Sequence, residues 1–132
     1  MSLKHEIDIK RLSCDLNKYV ERHNRTAYCW VFEEISNKAN FVPRAIAVGR
    51  DECGSWALSF YETEEQAKQR MKDLLGNKSQ LYKKLGTHIA NGQLEKKDGI
   101  SDDSNLLGHF NHFEYDGVDL KEKFIIIGYS YK

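Results

Sequence analysis

Long hydrophobic runs are missing from this chain. The longest aliphatic stretch, Phe124-Ile125-Ile126-Ile127, is of strand length only. No segment can serve as a membrane span or as the apolar stretch of an export signal, and His5, Glu6 and Asp8 interrupt the N-terminus. Cysteine is sparse: Cys14, Cys29 and Cys53 are odd in number and show no C-x-x-C spacing, which predicts neither a disulfide framework nor a thiolate metal site. Three reduced thiols and a cytoplasmic location are the matching expectation. Charge of one sign is also absent. Lys plus Arg is 20 and Asp plus Glu is 20, so a neutral average attracts neither nucleic acid nor an acidic membrane. The only proline is Pro43, and no Pro- or Ser-rich linker divides the chain.

Motifs are missing too. There is no P-loop, no G-x-G-x-x-G, no G-x-S-x-G elbow and no H-E-x-x-H. No cofactor and no metal is therefore implied by spacing, and familiar nucleotide-dependent or hydrolytic mechanisms have no anchor.

What is present suits one domain over residues 1–132. Hydrophobic residues make up 40% of the sequence, with 2 Trp, 7 Tyr and 6 Phe, enough for an ordinary core. A mean hydropathy of −0.66 and 30% charged residues predict a well-solvated surface and a soluble protein.

Periodicity supplies the elements. Ile9, Leu12, Leu16, Tyr19 and Val20 recur at steps of three and four, predicting a helix over 9–23 with Asp8 as its cap. Three strand-like runs follow, at 27–35, 41–49 and 55–61, separated by turn chemistry, and together they predict an antiparallel meander. In the first run Tyr28, Trp30 and Phe32 alternate with Cys29 and Val31, so both faces are apolar and the strand is covered on both sides or leaves one face open for a partner. Aromatics at that spacing can stack nucleic-acid bases, but Glu33 and Glu34 adjoin them, and a core covered by a helix is the better fit.

Thr63-Glu64-Glu65-Gln66 fits a capping box, opening a helix that runs through Ala67, Met71, Leu74 and Leu75 to Gly76. A second short helix is predicted from Ser79 to Leu85. Asn91-Gly92 predicts a two-residue hairpin between 87–90 and 93–96. Residues 110–115 are expected to pair with 124–131, and the last strand, apolar on both faces, is expected to be central. The fold class that results is α+β: a single domain with a mainly antiparallel sheet, built from a three-strand meander plus two or more C-terminal strands. An N-terminal helix and a central helix pair pack on it. The order helix, three strands, helix over 9–75 is also that of the double-stranded RNA-binding domain. Glu64 and Glu65 stand where that domain needs bases to grip phosphate, which leaves a likeness of topology alone.

Two groups of residues are candidate sites. His112, Glu114 and Asp116 alternate along a predicted strand and so share a face, and an imidazole beside two carboxylates suits a divalent cation or an acid-oriented base. A solvated sheet face with balanced charge produces the same pattern. The second group is Lys68, Lys72, Lys83 and Lys84, part of a basic stretch over 67–97 that precedes an acidic one over 98–122. Such segregation can steer a charged protein partner, or the two stretches can neutralise each other within the fold. The function expected is a protein-interaction or regulatory, inhibitor-like module that binds a protein partner or itself. The alternative is a small enzyme or ligand-binding domain working through the His112 group.

Overall fold

A computed structural model describes residues 2–78 and 80–131. Its elements in chain order are α1 (Glu6–Arg11), β1 (Arg25–Val31), α2 (Arg44–Ala47), β2 (Leu58–Tyr61), α3 (Glu64–Leu75), α4 (Tyr82–Leu85), β3 (His88–Leu94), β4 (Gly99–Ser101), β5 (His109–Glu114) and β6 (Ile125–Tyr129). The strands form one antiparallel sheet in the order β4-β5-β2-β1-β3-β6, which makes the chain an α+β fold.

Alternation along the strands divides the core between two faces. Ala27, Cys29, Val31, Leu58, Phe60, Ala90, Leu94 and Phe110 line one face, closed over by Phe41, Leu120 and Phe124 from the connecting loops. The opposite face is covered twice. Near β5, Leu3, Ile9, Leu16 and Tyr19 pack on Phe113 and Tyr115. Near β1, α3 lays Ala67 over Tyr61, Ile89, Tyr28 and Trp30. The Trp30 indole N–H donates to the Ala67 carbonyl at 3.1 Å, so the aromatic stripe is core beneath a helix. Helix α3 begins where expected, with the Gln66 amide donating to Thr63 Oγ1 at 3.1 Å. The Gln66 side chain does not complete the box; it lies against Gly108, whose φ of +78° admits the close approach.

Several expectations are corrected. The helix over 9–23 is only α1, because Ser13 turns the chain with φ +54° and Val20 leaves to bridge Ser101. The helical spacing of Leu16 and Tyr19 reflects burial of an irregular segment. The run 41–49 is not a strand: Pro43 opens α2, its carbonyl accepting from Ile46 and Ala47, and β1 pairs directly with β2. Its absence also removes the topological likeness to the RNA-binding domain. Asn91-Gly92 is not a hairpin but the middle of β3. A Cβ on Gly92 would stand 2.7 Å from the Phe124 ring, so glycine serves packing there, not a turn. The strand β5 pairs with β2 and β4, not with β6. In turn β6 lies at an edge beside β3, and the ladder shifts at Ile89/Ala90, leaving Ile127 as the extra residue of a bulge. Of the short helix over 79–85, α4 is the part seen, and Ser79 lies outside the described residues. Finally, Cys14 and Cys53 form a disulfide across 39 positions, so only Cys29, buried in the core, is a free thiol.

Candidate functional site

Strand β5 brings His112 and Glu114 to one face, as alternation requires, and that face is the closed core. Asp116 falls beyond the strand end, exposed in the following turn, with its amide donating to the Ser2 carbonyl. The His112 ring is 1% exposed and sits edge-on to Phe60, with Nδ1 3.1 Å from Ser101 Oγ. Its Nε2 has no well-formed hydrogen bond and faces Gly99, where a Cβ would stand 2.9 Å from it and 2.1 Å from the Phe113 carbonyl. Burial lowers the His112 pKa to about 4, with Asp98 opposing and Arg25 and Lys123 reinforcing, so the imidazole is neutral.

Around it lies a buried ionic network. Lys4 Nζ donates to Glu114 Oε2 at 3.0 Å and to the Val118 carbonyl at 2.7 Å. Burial pushes the Glu114 carboxyl up, and Lys4 pulls it partly back. Asp98, also buried, accepts from Lys123 Nζ and from the Glu95 amide. Arg25 lies 3.5 Å above the Phe110 ring and donates to the Asp102 carbonyl. Ionic groups so deep in a sheet are costly unless each has partners, and here they do. Among the described residues no three His, Cys, Asp or Glu side chains are grouped so as to hold a metal ion.

The lysines take two positions. Lys68 and Lys72 lie on α3, where Lys68 pairs with Glu64 at 2.8 Å. Lys83 and Lys84 lie exposed on α4, with Lys83 Nζ donating to Gln80 at 3.0 Å. The turn α4 is tied to the end of β6: Tyr82 stacks on Tyr131 at 4.0 Å between ring centres, and Ser130 Oγ donates to the Gly86 carbonyl at 2.6 Å. Lys83 and Lys84 therefore flank the outer edge of the sheet.

That edge is the feature the sequence reading missed. Ile125 is 69% exposed, Ile127 42% and Tyr129 46%, along five residues that carry no charge and no proline. The opposite edge is treated differently. Val20 bridges Ser101 of β4, and Arg22 Nε donates to the Ser101 carbonyl. One edge of the sheet is covered by the chain's own N-terminal segment, while the other carries the bulge at Ile127 and the exposed side chains of Ile125 and Ile127. The apolar triplet was visible, but its two apolar faces read as burial, because a buried central strand and a sticky edge look alike in one dimension.

An open cleft of about 530 Å³ lies between Arg22, His23, Arg25, Glu62, Asp103 and Ser104. Its charges are matched internally, with Arg22 on Asp103 at 3.0 Å and Arg25 on Glu62 at 3.6 Å. No protein-family model, curated protein or solved structure matches this chain. No helix among the described residues is long and apolar enough to cross a membrane.

Proposed function

We propose that this chain is a protein-interaction module that accepts an extended strand on the edge of β6. The uncharged β6 carries this reading, with Ile125 and Ile127 exposed and Tyr129, beyond the bulge, packed beside the His88 ring. Strand addition supplies main-chain hydrogen bonds for affinity and alternate side chains for selectivity. Lys83 and Lys84, beside the end of the strand, add a preference for carboxylates on the incoming segment. A regulatory or inhibitor-like role follows from such a surface when the segment bound belongs to an active protein. Lys68 and Lys72, on α3, extend the basic surface without touching the edge. The alternative, chemistry at His112, Glu114 and Asp116, is disfavoured by the burial of His112 and Glu114. As for compartment, the Cys14–Cys53 bond suits an oxidising environment better than a reducing cytoplasm.

Lysine-reactive cross-linking in the cells that make the protein tests the reading. Cross-links from Lys83, Lys84 and Lys123 to another polypeptide chain are expected for the unaltered protein and lost in Ile127→Lys. They are expected to persist in His112→Asn. Cross-links confined to other surfaces, or unaffected by Ile127→Lys, would overturn the proposal.

A further inference from the structure

We infer that the N-terminal arm, residues 2–23, can leave its own sheet and dock on that of a second copy, and that the Cys14–Cys53 bond is what holds it at home. The arm leads into β1, yet it packs on β5 and β4, which lie on the far side of β2. Leu3 bridges Tyr115, and the Lys4 amide donates to the Glu114 carbonyl at 2.9 Å. Ile9, Leu16 and Tyr19 cover Phe113 and Tyr115, and Val20 bridges Ser101. Arg11 reaches Asp51, and Glu21 accepts from the Tyr115 hydroxyl. Each of these partners lies at position 51 or later. A second copy presents the same partners in the same places, so an exchange of arms between two copies keeps every one of these contacts.

The hinge is short. Arg22 Nε donates to the Ser101 carbonyl and Arg25 opens β1, which leaves His23 and Asn24 to turn the chain between them. Asn24 does so at φ +54°, a left-handed conformation that among the described non-glycine residues only Ser13 and Phe41 share. Straightening the turn releases that conformation and carries the arm away from its own body. Short, strained hinges of this kind favour domain swapping.

The restraint on exchange is covalent. Cys14 sits in the arm and Cys53 in the turn before β2, so their bond closes arm on body. Cys29 is buried, so no other thiol competes. Reduction by a dithiol delivers two electrons and two protons to the two sulfurs, and the dithiol leaves as its own disulfide. Freed arms then exchange most readily at high concentration, because the swap is bimolecular. Reoxidation of a swapped pair passes the electrons and protons to an oxidant such as glutathione disulfide. It joins Cys14 of each copy to Cys53 of the other.

The test mixes two single variants, Cys53→Ser and Cys14→Ser, and oxidises them with glutathione disulfide. Neither can close the bond within one chain. Docking of the first variant's arm on the second variant's body predicts a covalent heterodimer linked Cys14 to Cys53, in excess over both homodimers, read by intact mass and non-reducing peptide mapping. In denaturing urea the thiols meet at random, and the excess should vanish. Adding Tyr19→Ala to the copy that keeps Cys14 removes a ring from Phe113 and should lower the excess. Circular dichroism matching the unaltered protein shows that each variant is folded. Unaltered protein, reduced and then reoxidised, should yield a disulfide-linked dimer whose share rises with concentration, while protein never reduced should yield none. A heterodimer at no more than its statistical share, or one indifferent to urea or to Tyr19→Ala, overturns the inference. Reoxidation to monomer at every concentration overturns it as well.

Discussion

At the scale of single residues, His112 shows how one side chain can look functional in sequence and structural in space. Its partners Ser101 and Asp98 come from the neighbouring strand and turn, 11 and 14 positions away in the chain (112 − 101 and 112 − 98). Burial sets its chemistry: a neutral imidazole in a closed core cannot shuttle protons with solvent. Linkage turns this into a prediction. The folded pKa is about 4 and the unfolded value 6.5, so between those values the unfolded chain takes up a proton that the folded chain refuses. Stability is full above pH 6.5, falls as pH drops, and levels off below about 4, a loss on the order of 3 kcal/mol. His109, also lowered by burial, adds to the same slope. Glu114 acts oppositely: its raised pKa costs stability as pH rises from its unfolded value of 4.5 through the folded one. Urea midpoints measured from pH 7 to pH 5 should fall in the unaltered protein and fall much less in His112→Asn. Equal slopes in the two proteins would place the pH dependence elsewhere.

Elements were legible where local chemistry decides them. Thr63 as cap, the spacing of Ala67 and Met71, and Gly76 as terminator all act within one helix, so α3 could be read directly. The buried set of β1, Ala27, Cys29 and Val31, follows simple alternation and was equally plain, whereas the strand read over 55–61 begins only at Leu58, Ala57 is buried, and Phe60 and Tyr61 are both buried. Contacts from distant positions decided the rest. Residues 12–24 have helical spacing but are claimed by β4 and by the disulfide to Cys53. Asn91-Gly92 has the chemistry of a hairpin, but Phe124, 32 residues on (124 − 92), occupies the space over Gly92. Of the candidate site, the alternation of His112 with Glu114 was readable, while their burial was not, because it depends on which loops close over the sheet. The Gly92 contact can be tested. Gly92→Ala pushes a methyl group into the Phe124 ring, itself 3% exposed, and should destabilise by about 1–3 kcal/mol despite alanine's better backbone entropy. A thermal melt at or above that of the unaltered protein would show that the loop carrying Phe124 yields freely.

Across the whole molecule, the two sheet edges are managed by opposite means, and the disulfide belongs to the covered one. Cys14 follows α1, and Cys53 lies in the turn before β2, where Arg11 and Asp51 also pair at 2.7 Å. These ties fix the start of the segment that runs on to Val20 and covers β4. Farther along, Glu21 accepts from the Tyr115 hydroxyl at 2.6 Å and Arg22 reaches Ser101. Closing a loop across 39 positions removes unfolded-state entropy equivalent to about 4 kcal/mol, an upper value because reduced chains retain some order. Reduction, or Cys14→Ser with Cys53→Ser, should thus lower stability by about 2–4 kcal/mol. The loss should also be directional. Freed at Cys14, the covering segment has fewer constraints, so amide exchange should rise at Val20 and Ser101, which donate to each other's carbonyls at 3.0 and 2.9 Å. The β6 edge, on the far side of four intervening strands, should exchange as before. Exchange mapped by mass spectrometry with and without reductant separates the cases. A rise confined to residues 12–24 and 99–103 places the disulfide as the clasp of the covered edge. A uniform rise would mean that it holds the whole sheet together, and no rise would mean that the Val20 and Arg22 contacts suffice alone.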